Sequence, residues 1–273
     1  SANQADQRKK IQQQLSARHF DAIILTVPSN NSDGSFLFNG EKVYRYENEW
    51  ELRFSNHTVT LNGQLVNKFL HDDANNSPFY SPEPIHGYRI KEKYSWNKPL
   101  NKDVLMHIGA KNSFWRYKAF PITLYKEIMV FLNKEGFRPK IIGDEKQKIY
   151  AQMFKGLSDD LTCIPLKDTK QLMLEAFAFC GNDSGPAHLA AAYNLPTITF
   201  FGPTRWDLTG PWPLREPNFY IQGVVPCGPC VRTSRIESCN NPICHKEVSF
   251  KDFLDKWNKL LSYRSNHVAC CMP

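Results

Sequence analysis

The sequence predicts an α/β protein whose C-terminal part is a doubly wound parallel sheet with helices on both faces. Two observations carry this. From Asp103 onward, short apolar runs of strand length alternate with stretches of helical period, the pattern of consecutive βα units. Residues 179–211, FCGNDSGPAHLAAAYNLPTITFFGPTRWDLTGP, then compress strand, tight turn, helix, strand and loop into one unit. The first hundred residues lack this regularity and read as a separate, smaller domain. A chain of 273 residues has room for both.

Taken in order, Arg8–Arg18 reads as a polar helix with Ile11 and Leu15 on one face, and Phe20–Val27 as a strand closed by Pro28 and the turn-rich SNNSDGS. Phe36–Phe69 mixes short β-type runs with Asn and Gly, and residues 71–84 are loop by composition. Lys98-Pro99 marks a linker, so the expected domains are 1–100 and 101–273. Val104–Ile108 is then a strand and 109–120 a basic, aromatic loop. Pro121–Asn133 is a helix with Leu124, Ile128 and Phe131 or Leu132 on one face, stopped by Gly136. Lys140–Gly143 is a strand, Glu145–Lys155 a helix, Leu161–Ile164 a strand and Thr169–Glu175 a short helix. Ala178–Gly181 and Thr197–Phe201 are buried strands. Between them a helix of small residues starts at Pro186, whose missing N–H costs nothing in a first turn. It ends at Asn194, which tolerates left-handed backbone. Ser249 caps a last helix over 249–262, where Phe250, Phe253, Leu254, Trp257, Leu260 and Leu261 form one apolar stripe. That stripe needs a partner surface, and the N-terminal domain across the boundary is the expected one, with the sheet of its own domain as the alternative.

Composition narrows the function. No run of about 18 apolar residues offers a membrane-spanning helix, and no apolar leader precedes the first elements, so a cytoplasmic protein is expected. The net charge of +7 suits a phosphorylated sugar donor, an anionic glycolipid surface or nucleic acid. No stretch interleaves bases with aromatics, so nucleic acid is not an expected partner.

Parallel sheets of this kind bind ligands outside the carboxyl ends of their strands. The loops at 109–120, 143–145, 165–169 and 182–186 leave those ends and are expected to line one crevice. In the last of them, Asp183-Ser184-Gly185-Pro186 aims bare N–H groups and the positive end of a helix dipole at one point, where phosphate binds. Taken alone, the same four residues equally describe a well-capped βαβ unit.

The longer string is more specific. NDSGPAHLAAA followed by LPTITFFGPT closely resembles the signature of glycosyltransferase family 9, the ADP-heptose:lipopolysaccharide heptosyltransferases, with likeness extending over residues 103–262. The resemblance implies a GT-B-like architecture, with a Rossmann-type nucleotide-sugar domain and a smaller, incomplete N-terminal acceptor domain. It implies transfer of heptose from ADP-heptose to a lipopolysaccharide core or, as in the autotransporter branch, to a protein serine, with peripheral contact at a bacterial inner membrane. Lys118, three residues before Pro121, stands where the family lysine meets the donor pyrophosphate. Lys111 and Arg116 are alternates, and Asn112 and Ser113 are further phosphate contacts. Glu145 stands at the ribose-binding acidic position. Asp183 would bond sugar hydroxyls, Ser184, Gly185 and Pro186 would cradle phosphate, and His188 would reach the same anion. Each has a plainer alternative: a solvated lysine, a glutamate favouring a helix start, a packed histidine. The family's general base is the aspartate of a Gly-Asp turn after its first strand. The only Gly-Asp here is Gly143-Asp144, in the other half, which leaves Asp33 as the candidate base. That gap implies that the first βα units are missing. It keeps a second reading open, a non-catalytic nucleotide-sugar-binding or assembly subunit, alone or in an oligomer.

Cys227, Cys230, Cys239 and Cys244 stand at C-x2-C-x8-C-x4-C spacing in a Pro- and Asn-rich insert, 227–244. Four thiolates with one tight C-x2-C turn suit a closed tetrahedral metal site, which would supply folding energy to a segment poor in apolar residues. The resemblance adds that some autotransporter heptosyltransferases carry iron in a four-cysteine finger, so zinc and iron are both expected candidates. Free thiols, or disulfides in an oxidising compartment, are the alternatives.

Overall fold

Six strands between Asp103 and Gln222 form one parallel sheet. They are β3 (Asp103–His107), β4 (Arg138–Gly143), β5 (Asp159–Thr162), β6 (Ala178–Asn182), β7 (Thr197–Phe201) and β8 (Asn218–Gln222). The structure is a computed structural model. It describes residues 101–109, 117–231, 236 and 238–269, with side chains to 266, and the backbone of two short strands, β1 (His19–Ile24) and β2 (Asn39–Tyr44). The expected helix at 8–18, the linker at 98–99 and the candidates Asp33, Lys111, Asn112, Ser113 and Arg116 lie outside the described residues. The chain divides into two units, Ser1–Tyr88 and Arg89–Pro273. In the first, β1 and β2 pair in parallel, with His19 opposite Asn39 and Ile24 opposite Tyr44.

In the second unit the order is β5-β4-β3-β6-β7-β8. The first strand of the unit is central, and the chain winds outward one way and then the other. This is the order of dinucleotide-binding sheets, and the reversal between β3 and β6 opens a crevice at their carboxyl ends. Side chains alternate faces along a strand. β3 therefore sends Val104 and Met106 into one core and Leu105 into the other. The first core is covered by α1 (Ile122–Lys134), which buries Leu124, Tyr125, Ile128, Met129 and Leu132, and by α2 (Lys148–Met153). The second is covered by α3 (Leu166–Glu175) and α4 (Gly185–Ala192), whose Ala187 and Ala190 let the helix lie close to the sheet.

Five elements differ from expectation. β5 begins at Asp159 and stops at Thr162, because Cys163 takes φ 61° and donates its N–H to the Gly143 carbonyl. The apolar Cys163-Ile164 pair that suggested a strand is therefore a turn. β8, five residues between Pro217 and Gly223, is a full partner of β7 and is not among the expected strands. Two further helices are α5 (Trp206–Thr209) and α6 (Ile243–Lys246), and α7 (Phe250–Ala269) runs past the expected end at 262.

α7 starts with a capping box. The Asp252 N–H donates to Ser249 Oγ, while Ser249 N–H and Oγ–H both donate to Asp252 Oδ2, at 2.8 and 2.6 Å. Its stripe finds a surface within this unit. Phe253, Trp257 and Leu260 are fully buried against the first core, with the Trp257 ring edge-on to Phe137 at 4.9 Å and close to Phe177 at 5.7 Å.

Candidate functional site

The crevice at the strand reversal is lined by His107, Gly109, Lys118, Gly143, Asp144, Gln147 and the turn Asp183–Pro186, around a cavity of about 400 Å³. Three of the four loops expected to meet there do so. Residues 165–169 are not among those that line it.

The turn is built by sequence-local chemistry. β6 is buried throughout and ends at Asn182. Ser184 takes an extended backbone as the N-cap of α4, and Pro186 occupies the first turn, where no N–H is needed. Ser184 Oγ is buried without a hydrogen-bond partner among the described residues, so it does not cap the helix itself. The first N–H groups of α4 have no intrahelical acceptors. The turn therefore offers donors to an anion and no side-chain competitor for them.

Lys118 Nζ donates to Asp183 Oδ2 at 2.6 Å, with only 18% and 4% of the two side chains exposed. His188 reaches the other carboxylate oxygen at 3.9 Å with a ring 44% exposed. Burial lowers its pKa below the usual imidazole value; Asp183 opposes that shift and Lys118 adds to it. Glu145 stands one residue beyond the lining. It is exposed and pairs with Lys148 at 3.1 Å, and the Cys163 thiol donates to it at 3.2 Å. Those contacts hold its carboxyl below the ordinary range, the Cys163 bond first.

Three residues that organise the crevice are not among the site residues expected from the sequence. Asn182 is fully buried and ties four segments together. Its Nδ2 donates to the Ile108 carbonyl and, at 3.4 Å, to that of Gly109. Its Oδ1 accepts from Tyr125 Oη at 2.5 Å and from the Phe120 N–H at 3.4 Å. Gln147 accepts from the Gly109 N–H at 3.0 Å, fixing the start of the loop after β3. It passes so close to Gly143, itself at φ 140°, that a Cβ there would come within 2.3 Å of the Gln147 side chain. His107, at the end of β3, completes the wall.

Burial depresses the His107 pKa to about 4, against a smaller upward pull from Asp144. Its ring is therefore neutral at physiological pH. An unfolded histidine binds a proton below about 6.5, so this group contributes stability above that pH and loses it progressively as pH falls toward 4. The expected slope is up to about 1.4 kcal/mol per pH unit. His107→Asn should flatten the pH dependence of the urea midpoint between pH 6.5 and 4. His188 and His245 shift in the same direction, so the slope is reduced rather than abolished. An unchanged slope would show that His107 is protonated in the folded protein.

The four spaced cysteines are free thiols, Cys227 exposed and Cys244 buried. Burial, with Cys230, Cys227 and Cys239 adding in that order, raises the Cys244 thiol to about 11. They are thus near enough to feel one another's charge. Among the described residues, however, no three His, Cys, Asp or Glu side chains stand closely enough to hold a metal ion. Among the described residues no helix is long and apolar enough to cross a membrane.

The family model for glycosyltransferase family 9 (heptosyltransferase) matches residues 8–240. The lipooligosaccharide heptosyltransferase 2 of Campylobacter jejuni is 37% identical over 108 residues, 37% of this chain and 32% of its own length. The chain thus spans about a third of that relative. Among solved structures, E. coli heptosyltransferase WaaC with ADP superposes with a TM-score of 0.53 at 18% identity, covering 81% of this chain and 72% of that one. The iron-containing dodecameric glycosyltransferase TibC of enterotoxigenic E. coli gives 0.54 at 16%, covering 87% and 61%. These likenesses are of fold, an α/β sheet of the GT-B-like kind.

Proposed function

We propose that this chain, which belongs to glycosyltransferase family 9, transfers heptose from ADP-heptose to a hydroxyl of a lipopolysaccharide core or a protein. The observation that carries the reading is the Lys118–Asp183 pair seated over the open N-terminus of α4, at the switch point of a nucleotide-binding sheet. The diphosphate lies over the amides of Ser184 and Gly185, with the helix dipole behind them. Lys118 supplies the full positive charge that offsets charge developing on departing ADP. Asp183 accepts from hydroxyls of the sugar, and His188 stands within reach of the same group. Glu145, just outside the lining, takes the ribose hydroxyls. An acceptor hydroxyl forms the new C–O bond as the bond to the diphosphate breaks, and a base takes its proton. We place that base in the N-terminal unit, with Asp33 as the candidate. The net charge of +7 suits an acceptor at an anionic membrane surface.

ADP calorimetry run beside a transfer assay with ADP-heptose tests this. ADP binding with release of ADP and labelling of the acceptor is the expected result. Binding without turnover would support a nucleotide-sugar-binding subunit instead. Absence of binding would overturn the donor site.

We further propose that Cys227, Cys230, Cys239 and Cys244 close around one structural zinc or iron ion. The donor set fits: four sulfurs and a tight turn at Gly228-Pro229. The 227–231 stretch is already anchored, because the Cys230 and Val231 N–H groups donate to the Pro203 carbonyl at 3.1 and 2.9 Å. Elemental analysis should find close to one equivalent of zinc or iron, lost in Cys230→Ser together with several degrees of melting temperature. Metal-free protein with four titratable thiols and unchanged stability would rule the ion out.

A further inference from the structure

His245 lies outside the crevice lining, yet it holds the segment that carries Lys118. α6 contains the last of the spaced cysteines, Cys244, immediately before His245, so the position of this ring is set by the return of the cysteine-rich insert. Its Nε2 bonds the Tyr117 carbonyl oxygen at 2.7 Å, with both residues buried. A carbonyl only accepts, so Nε2 carries the proton. The ring lies against Phe120 at 4.5 Å between centroids. From another side it is met by Gly202, where a Cβ would come within 3.0 Å of the imidazole. The ring is thus seated between the loop after β7 and the strap Tyr117–Phe120, with no slack for a side chain at 202. The strap's hold from Asn182 is a longer bond, 3.4 Å to the Phe120 N–H. Tyr117 immediately precedes Lys118, whose Nζ must reach the phosphate turn.

We propose that His245 is a positioning residue for donor binding: from the end of the cysteine-rich insert it fixes the Tyr117–Phe120 strap so that Lys118 is held over the Asp183–Pro186 turn. The proposal rests on the donor-site reading above, and it joins the insert to that site through one hydrogen bond.

The test is ADP calorimetry on the full chain and on His245→Phe, His245→Gln, Lys118→Ala and the double variant His245→Phe/Lys118→Ala. Phenylalanine keeps the ring against Phe120 but has no donor, whereas glutamine restores an N–H of similar reach. His245→Phe should weaken ADP binding by roughly three- to tenfold, and His245→Gln should recover most of that. The loss should shrink to less than about twofold when Lys118 is already alanine. Equal affinity in the Phe and Gln variants, or an undiminished loss in the Lys118→Ala background, would overturn the proposal. A wild-type chain that binds no ADP would instead remove the donor-site reading on which it rests. Melting temperatures measured in parallel separate a general loss of stability, which would not distinguish Gln from Phe through Lys118.

Discussion

Replacing Lys118 with alanine should weaken ADP binding by roughly 10- to 150-fold, about 1.5–3 kcal/mol, the value of a charge-assisted hydrogen bond in a partly buried site. The geometry makes this more than the loss of one cation. Lys118 is paired with Asp183 at 2.6 Å. Without the lysine, a carboxylate with 4% of its side chain exposed faces the incoming phosphates uncompensated. The complementary substitution therefore has the opposite sign. Asp183→Asn removes the negative charge and leaves Lys118 to the anion, so ADP affinity should hold or rise. Any advantage of an ADP-sugar over ADP should disappear, because the group proposed to accept from sugar hydroxyls is gone. Calorimetry with both ligands on both variants reads this directly. If ADP affinity falls as far in Asp183→Asn as in Lys118→Ala, the phosphates do not lie at this pair.

The sequence makes legible what is written in short-range order. The βα alternation after Asp103 gives the parallel sheet, and Asp-Ser-Gly-Pro gives a phosphate-type turn, because strand period, N-cap chemistry and a first-turn proline all act within a few residues. Lys118 and Asp183 are 65 positions apart. Their pairing follows from the strand order β3-β6, which no local pattern encodes, and the sequence reaches it only through resemblance to a family. Asn182, Gln147 and His107 are illegible for the same reason. Each looks like an ordinary residue at the end or start of an element; Gln147 acquires its role from the Gly109 N–H, Asn182 from Ile108 and from Tyr125 on α1, and His107 from its burial beside Asp144. β8 is not among the expected strands although Phe219, Tyr220 and Ile221 favour extended backbone; its pairing with β7 supplies the edge. His245 escapes because a histidine beside the last of four spaced cysteines reads as part of that cluster, whereas its bond goes 128 positions back along the chain.

Trp257→Ala should cost about 3–5 kcal/mol of unfolding free energy, the range for truncating a large buried aromatic. Against a typical total of about 5–15 kcal/mol, that is enough to lower the urea midpoint substantially with little change in its slope. Trp257 is 1% exposed and meets Phe137 edge-on and Phe177 at a tilt, pairs that contribute beyond the area they bury. Two turns on, Arg264 donates to the Phe177 carbonyl and lays its guanidinium over the Phe177 ring at 4.1 Å. Trp257 and Arg264 thus hold Phe177, and Phe177 is the residue before Ala178, where β6 begins. The crevice lies past the other end of that strand, at Asn182 and Asp183. The expected result is therefore divided: a large loss of stability, with ADP affinity of the folded fraction changed by less than about twofold. A stability loss under about 1 kcal/mol would mean that α7 owes its place to some surface other than this sheet. A parallel collapse of ADP affinity in protein that remains folded would mean that the position of β6 is transmitted along the strand to the phosphate turn.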